Sequence, residues 1–340
     1  MRLLSAATIT AVVTSTLLSS LAQAATVNLY SARKEALIKP MLEQFTAQTG
    51  IEVRLLTGSG DALLARLQNE GANSPADLFL TVDAGNLHRA AQADVFQPLG
   101  SPTAINAVPE YLLGDDNLWV GLSVRARPIF YAIDRVDPSQ LSGYADLAAA
   151  EWKGKVCIRS SDNIYNQSLT GALLEHWGEA ATESWARGLV SNFARPPVGG
   201  DRDQISAVAA GMCDIAVANT YYYGIMQGSD DAKEREAASK VAIFWPDQAS
   251  HGTHINVSGI GLTRHAKNVD AARQLIEFLL SAEAQAWYAT TNNEYPAVEG
   301  VNWSERLQSW GTFKQDTLPM AVLGENNPAA VRLMNRAGWR

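Results

Sequence analysis

The sequence predicts an α/β protein of two hinged lobes, each a mixed sheet flanked by helices. Two observations carry this reading. First, β-rich apolar runs alternate with amphipathic helical patterns in two separate series, one before residue 93 and one from residue 154. Second, two long extended runs, WVGLSVRARPIFYAID (119–134) and INVSGIGLTR (255–264), lie where a chain can cross between lobes. Two crossings make the first lobe discontinuous, residues 25–125 with 258–340, around a second lobe of residues 126–257. A cleft between hinged lobes closes around its ligand.

The elements follow in order. Residues 1–24 hold one basic residue, Arg2, then an uncharged apolar stretch closing on Ala22-Gln23-Ala24, the pattern of a cleaved export signal. The mature chain then begins near Ala25. TVNLYSA (26–32) reads as a strand, with a helix from Lys34 to Thr49. IEVRLLTG (51–58) is a strand, and GSGDALLARLQNEG (58–71) a helix capped by Gly/Ser and closed by Gly71. ADLFLTV (76–82) is a third strand, and DAGNLHRAAQA opens a helix. In the second series GKVCIRSS (154–161) reads as a strand, and NIYNQSLTGALLEHWG and ESWARGLVSNFA as helices. DRDQISAVAAGMCDIAVANTYYYGIMQ runs helix, strand and a new helix start. DAARQLIEFLLSAEAQAWYATT (270–291) reads as one amphipathic helix, and Asn326-Asn327-Pro328 introduces a last short one.

Composition narrows the function. The chain carries 27 Lys+Arg against 35 Asp+Glu, a net of −8, and no basic run, which argues against nucleic acid as a partner. After the signal no segment is long and apolar enough to span a bilayer. In an exported chain the two cysteines, Cys157 and Cys213, read first as a disulfide, with buried free thiols as the alternative.

In open parallel sheets ligands gather at the carboxyl ends of strands. Ser31-Ala32-Arg33, Thr57–Asp61, Asp83, Ser160–Tyr165 and Asn219–Tyr223 all fall at such ends. Three consecutive phenols, Tyr221, Tyr222 and Tyr223, stand out. Tyr165 and Tyr221 each lie eight residues after a cysteine, so bonded cysteines on neighbouring parallel strands deliver both tyrosines to one rim. Phenols gathered in a cleft suit a hard trivalent ion such as Fe(III), a strong local cation that can hold a phenol deprotonated near neutral pH. Stacking on a sugar or amine, or plain packing, are the alternatives. His251-x-x-His254 lacks a third ligand and reads as a solvated loop pair. Asp201-Arg202-Asp203 reads as a helix-capping cluster, and Arg125 and Arg127 as inter-lobe ion pairs. Ser160 and Ser161 cap the next helix or offer amides to an anion. No nucleophile–base pattern suggests an enzyme.

The segments NLYSAR, TVDAGNL, RSSDNIYNQS, NFARPPVGGDRDQISAVAAG, ANTYYYG, NEYPAV and LGENNPAAVRLM resemble the periplasmic ferric-iron-binding proteins that serve iron ABC importers. The resemblance covers nearly all of the mature chain. It implies a type II periplasmic-binding-protein fold, Fe(III) between the lobes, and an inner-membrane ABC permease as partner to a monomeric periplasmic receptor. The family's tyrosines fall on Tyr165, Tyr221 and Tyr222, leaving Tyr223 as a neighbour. Where many members place His, or His then Tyr, this chain has Lys34 and Glu35, and where others place an acid it has Val82. It is therefore similar to the tyrosine-only subgroup, in which a small anion such as carbonate completes the shell. Arg33 is then the expected anion clamp, with Ser161 beside it, since a planar guanidinium fork matches carbonate. Glu35 is an alternative direct ligand. A receptor of the same fold for a metal-free anion or small organic solute is the alternative function.

Overall fold

The computed structural model describes residues 25–340; the segment read as an export signal, 1–24, lies outside the described residues. The chain enters on β1 (Thr26–Ser31), with β2 (Glu52–Thr57) and β3 (Leu78–Val82) parallel on either side. The returns are α1 (Lys39–Thr49) and α2 (Gly60–Glu70), and β3 runs straight into α3 (Ala84–Gln92). Ser59 and Asp83 cap α2 and α3 by accepting from the amides of Ala62 and Gly85, which is why the polar clusters sit at strand ends. A short β4 (Phe96–Gln97) and α4 (Pro102–Asn106) lead to β5 (Trp119–Ala126), buried along its whole length.

The first crossing is abrupt. Arg127 and Pro128 alone separate β5 from β6 (Ile129–Ala132), which belongs to a different sheet. There β7 (Val156–Cys157) feeds α5 (Ile164–Trp177) and α6 (Glu179–Ser191), while α7 (Asp201–Ala209) precedes β8 (Ile215–Val217). The tyrosine helix α8 (Thr220–Gln227), α9 (Ala232–Ser239) and β9 (Val241–Phe244) complete the lobe. Its sheet runs β7–β8–β6–β9, with β7 and β8 parallel and β6 antiparallel to both its neighbours. Cys157, in β7, forms a disulfide with Cys213, two residues before β8, their Cα atoms 5.9 Å apart.

Residues 245–254 carry the chain back to β10 (Ile255–Thr263), antiparallel to both β3 and β5. The two crossings touch, the Arg127 amide donating to the His254 carbonyl at 3.0 Å. Then come α10 (Val269–Leu279), α11 (Ala282–Trp287), β11 (Tyr295–Pro296) against β5, α12 (Glu305–Ser309), α13 (Met320–Glu325) and α14 (Asn327–Ala337). The first sheet runs β11–β5–β10–β3–β1–β2, with β4 on the end of β10.

Four expectations are corrected. The strand expected over 154–161 is only Val156–Cys157, because the chain turns at Ser160, whose hydroxyl accepts from the Asp162 amide. The single helix expected over 270–291 breaks at Ser281, which caps α11 by accepting from Ala284. β10 pairs with β5 from Ile255, so the first sheet resumes three residues before 258. The last helix does not sit with the first lobe. Leu333, Met334, Ala337 and Trp339 bury their apolar stripe in the second lobe's core with Leu169, Leu173 and Trp185. Arg336 adds ion pairs to Glu179 and Glu183 on α6. Among the described residues no helix is long and apolar enough to cross a membrane.

Candidate metal-binding cleft

Tyr165 sits in the first turn of α5, and Tyr221 and Tyr222 in the first turn of α8. These helices follow the adjacent parallel strands β7 and β8, so their N-termini open at one rim. The Tyr165 and Tyr221 hydroxyls stand 3.4 Å apart, and the Tyr221 and Tyr222 rings have centroids 4.1 Å apart. Tyr223 turns away: its hydroxyl donates to the Val241 carbonyl at 2.8 Å, and its ring packs on Phe130 and Trp310. The triplet is thus two phenols in the cleft and one in the core, as helical geometry separates neighbours by about 100°.

One arginine braces both tyrosine helices. Arg127, at the first crossing, donates from Nη1 to Asn219, just before α8, and to Asp201, both at 2.9 Å. Its Nη2 reaches Asn166, next to Tyr165, at 2.5 Å. Asp201 also accepts from Arg159 and from the Asn219 amide, so this buried carboxylate is a hub. Asp203 is the residue that caps α7, accepting from the Gly200 amide. Arg127 is thus an ion-pair residue, but its partner Asp201 lies in the second lobe with it, and Arg125 pairs with Glu294 of the first, so neither makes the expected inter-lobe pair, while the capping cluster divides into one cap and one hub.

Across the cleft, a space of about 460 Å³ separates the phenols from Arg33, Lys34, Arg125, Val82 and Glu294, and Arg202 of α7 also lines it. Arg33 is committed: its Nη1 donates to Ser258 at 2.9 Å and Ser123 at 3.3 Å, and its Nη2 to Glu294 at 2.9 Å. Arg125 donates to Ser258, lies 3.7 Å from Glu294, and its guanidinium carbon is 5.5 Å from the Tyr221 ring centre. The Nε of both arginines is buried without a partner. Two guanidinium groups against one carboxylate leave this wall net positive, which favours a negatively charged oxygen ligand.

Electrostatics follow burial. Burial, then the neighbouring Tyr165 and Tyr222, raise the Tyr221 pKa well above 10, and burial and Tyr165 raise that of Tyr222. Burial opposes ionisation of Glu294, but Arg33 and Arg125 outweigh it and hold its pKa below the usual carboxylate value. Arg125 is likewise kept charged by Glu294 and the tyrosines against the cost of its burial. Asp83, buried at the first lobe's rim, is pushed up to about 6 by burial, although Ser168 donates to it from the second lobe at 2.7 Å.

Other sequence candidates are placed elsewhere. Glu35 is half exposed, pairs with Lys39 at 2.8 Å, and lines a separate groove with Lys39 and Leu42. Ser161 is buried, its carbonyl accepting from Gln167, and it is not among the residues lining the tyrosine cleft. His254 is not a solvated loop histidine: it is buried, and burial with nearby Arg127 lowers its pKa to about 3. Sequence reading missed Glu294, although NEYPAV contains it. Its partners Arg33 and Arg125 lie far away in sequence, so no local pattern marks it.

Residues 40–315 match the family described as bacterial extracellular solute-binding protein. The chain is 46% identical over 314 residues to a Synechocystis protein named iron uptake protein A1, covering 92% of this chain and 87% of that protein. Among solved structures, Trichodesmium IdiA (FutA) in complex with iron and citrate superimposes with a TM-score of 0.90. It is 47% identical and covers 93% of this chain and 100% of that one. The ferric binding protein from Campylobacter jejuni gives a TM-score of 0.87 at 37% identity, covering 92% of this chain and 100% of its own.

Proposed function

The chain belongs to the bacterial extracellular solute-binding protein family, and on that premise we propose that it binds ferric iron between its lobes and delivers it to an ABC permease. The observation that carries this is the convergence of Tyr165, Tyr221 and Tyr222 at one rim, facing guanidinium groups. Three phenolates neutralise Fe(III), and hard oxygen donors suit a hard ion. The ion displaces the phenolic protons, overcoming the pKa values that burial raises. Names and titles of similar proteins that mention iron uptake, ferric binding and bound iron support the same cargo.

The facing wall calls for one more negative charge. Arg33 and Arg125 carry two positive charges against the single carboxylate of Glu294, and each keeps an unpartnered Nε. A small anion such as carbonate, bound beside iron, supplies that charge. Arg125 serves it together with Arg33, and neither Ser161 nor Glu35 takes part. The lobes divide as 25–126 with 255–326 and 127–254 with 327–340, the cargo lying between them. The protein acts as a monomer in the periplasm after removal of residues 1–24, and no catalysis is assigned to it.

A visible-absorption titration of the metal-free protein with chelated Fe(III) tests this, run with carbonate and in carbonate-free buffer. A tyrosinate-to-iron band that saturates at one equivalent and weakens or shifts without carbonate is expected. Full colour without any anion overturns the anion assignment, and no band overturns the ferric reading in favour of a metal-free solute.

A further inference from the structure

A second group of metal-ligating side chains lies outside the cleft. His176 occupies the last turn of α5, the helix whose first turn carries Tyr165. Its Nε2 is 2.8 Å from Oδ2 of Asp316, which is buried in the segment before α13. The His251 ring stacks on that of His176 with centroids 3.8 Å apart and planes 15° from parallel. Ligand atoms of the three residues all lie within 4.8 Å of one another.

The cluster is built on firm backbone. Thr253 donates to the Lys314 carbonyl at 2.9 Å, and the Asp316 amide donates back to Thr253 at 2.9 Å. That two-way ladder fixes His251 and Asp316 on adjacent strands of chain. Gly252 holds φ at 100°, and a Cβ there would sit 2.7 Å from the Lys314 carbonyl oxygen, so only glycine permits the approach. Asp247 stands 3.5 Å from His251 Nε2, an outer carboxylate placed to orient the imidazole.

We propose that His176, His251 and Asp316 form a binding site for a borderline divalent cation of the Zn(II) type, separate from the tyrosine cleft. Two imidazoles and a carboxylate are a zinc donor set, with a fourth position for water. Zinc–ligand bonds of about 2.0–2.2 Å place tetrahedral ligand atoms about 3.3 Å apart. The His176–Asp316 pair therefore opens by about half an ångström, and the His251 ring tilts out of the stack. The ion takes the place of the His176–Asp316 hydrogen bond, and His176 bound through Nε2 keeps its ring proton on Nδ1. Bound there, it staples the far end of the Tyr165 helix to the returning inter-lobe connection and to the chain before α13. The site does not rest on the ferric reading, since none of its ligands lines the cleft.

The test uses Zn(II) alone, equilibrated with the full mature protein in its metal-free form and again after ferric loading, with bound metal counted by elemental analysis. One zinc per chain at micromolar free zinc is expected in both forms. His176→Ala and His251→Ala each lower zinc affinity at least tenfold and leave the ferric band unchanged. His251→Gln serves as the second variant if an alanine variant fails to fold. No zinc bound by the unsubstituted protein overturns the proposal, and so does equal zinc binding by the variants. A failure of ferric loading leaves the metal-free arm decisive and bears only on the cleft.

Discussion

In the proposed site a phenol that ligates the ferric ion gives up its proton. With Tyr221 and Tyr222 raised above an ordinary tyrosine, binding one Fe(III) releases about three protons near neutral pH. Affinity then falls steeply on acidification, by up to about three decades per pH unit, which an indicator-dye or pH-stat titration counts directly. Fewer than two protons per iron contradicts a three-tyrosinate site. Asp83 gives the folded state its own pH dependence. Its folded pKa of about 6 exceeds the unfolded value of 3.8, so the native form keeps a proton that the unfolded chain has lost. The contribution of Asp83 to stability therefore declines as pH rises from about 4 to about 6. Asp83→Asn removes that contribution, so in urea unfolding the variant is expected to gain stability relative to the unsubstituted protein across the same window. Glu294→Gln leaves two buried guanidinium groups with no carboxylate between them, and costs about 3–5 kcal/mol in the same assay.

Elements place these residues, and here the sequence was partly transparent. Strand ends, helix caps and the helix start at the tyrosines follow from local pattern, because apolar alternation and capping residues act within a few positions. Arg127 shows what was hidden. It joins Asn166, Asp201 and Asn219 from distant parts of the chain, and that pairing exists only after the helices have packed. The C-terminal helix was misplaced for a related reason: its apolar stripe announces burial without naming the lobe that receives it. Gly224, which closes the tyrosine motif, has a packing role in α8. A Cβ there would meet Asn293 at 2.6 Å, where the first lobe's loop lies against the helix. Gly224→Ala is expected to cost about 1–3 kcal/mol by thermal or urea unfolding. The disulfide ties β7 to the chain entering β8, the two strands that launch the tyrosine helices, across a separation of 56 residues. Replacing both cysteines by serine costs about 4 kcal/mol on chain-entropy grounds, read in the same way.

At the scale of the molecule, the lobes are joined three times: at Arg127–Pro128, through 245–254, and between α13 and α14. The first was legible as the extended run 119–134, whereas the run read as the second crossing, 255–264, is strand β10 of the first sheet and the chain crosses just before it. The third was not, since a short helix boundary at Asn326 looks the same whether or not the chain changes lobes. Asp83 and Ser168 already bridge the lobes at 2.7 Å beside the cleft, so cargo and hinge are mechanically adjacent. Tyr165, Tyr221 and Tyr222 are the proposed ligands of the ferric ion between these lobes. The most direct test is a competitive Fe(III) titration of Tyr165→Phe, Tyr221→Phe, Tyr222→Phe and, as control, Tyr223→Phe, followed by the tyrosinate charge-transfer band. Each of the first three is expected to weaken binding beyond the ~10–100-fold typical of residues outside the coordination shell and to shift the band. Tyr223→Phe should leave both unchanged. Unaltered colour and affinity in any of the first three contradicts the site.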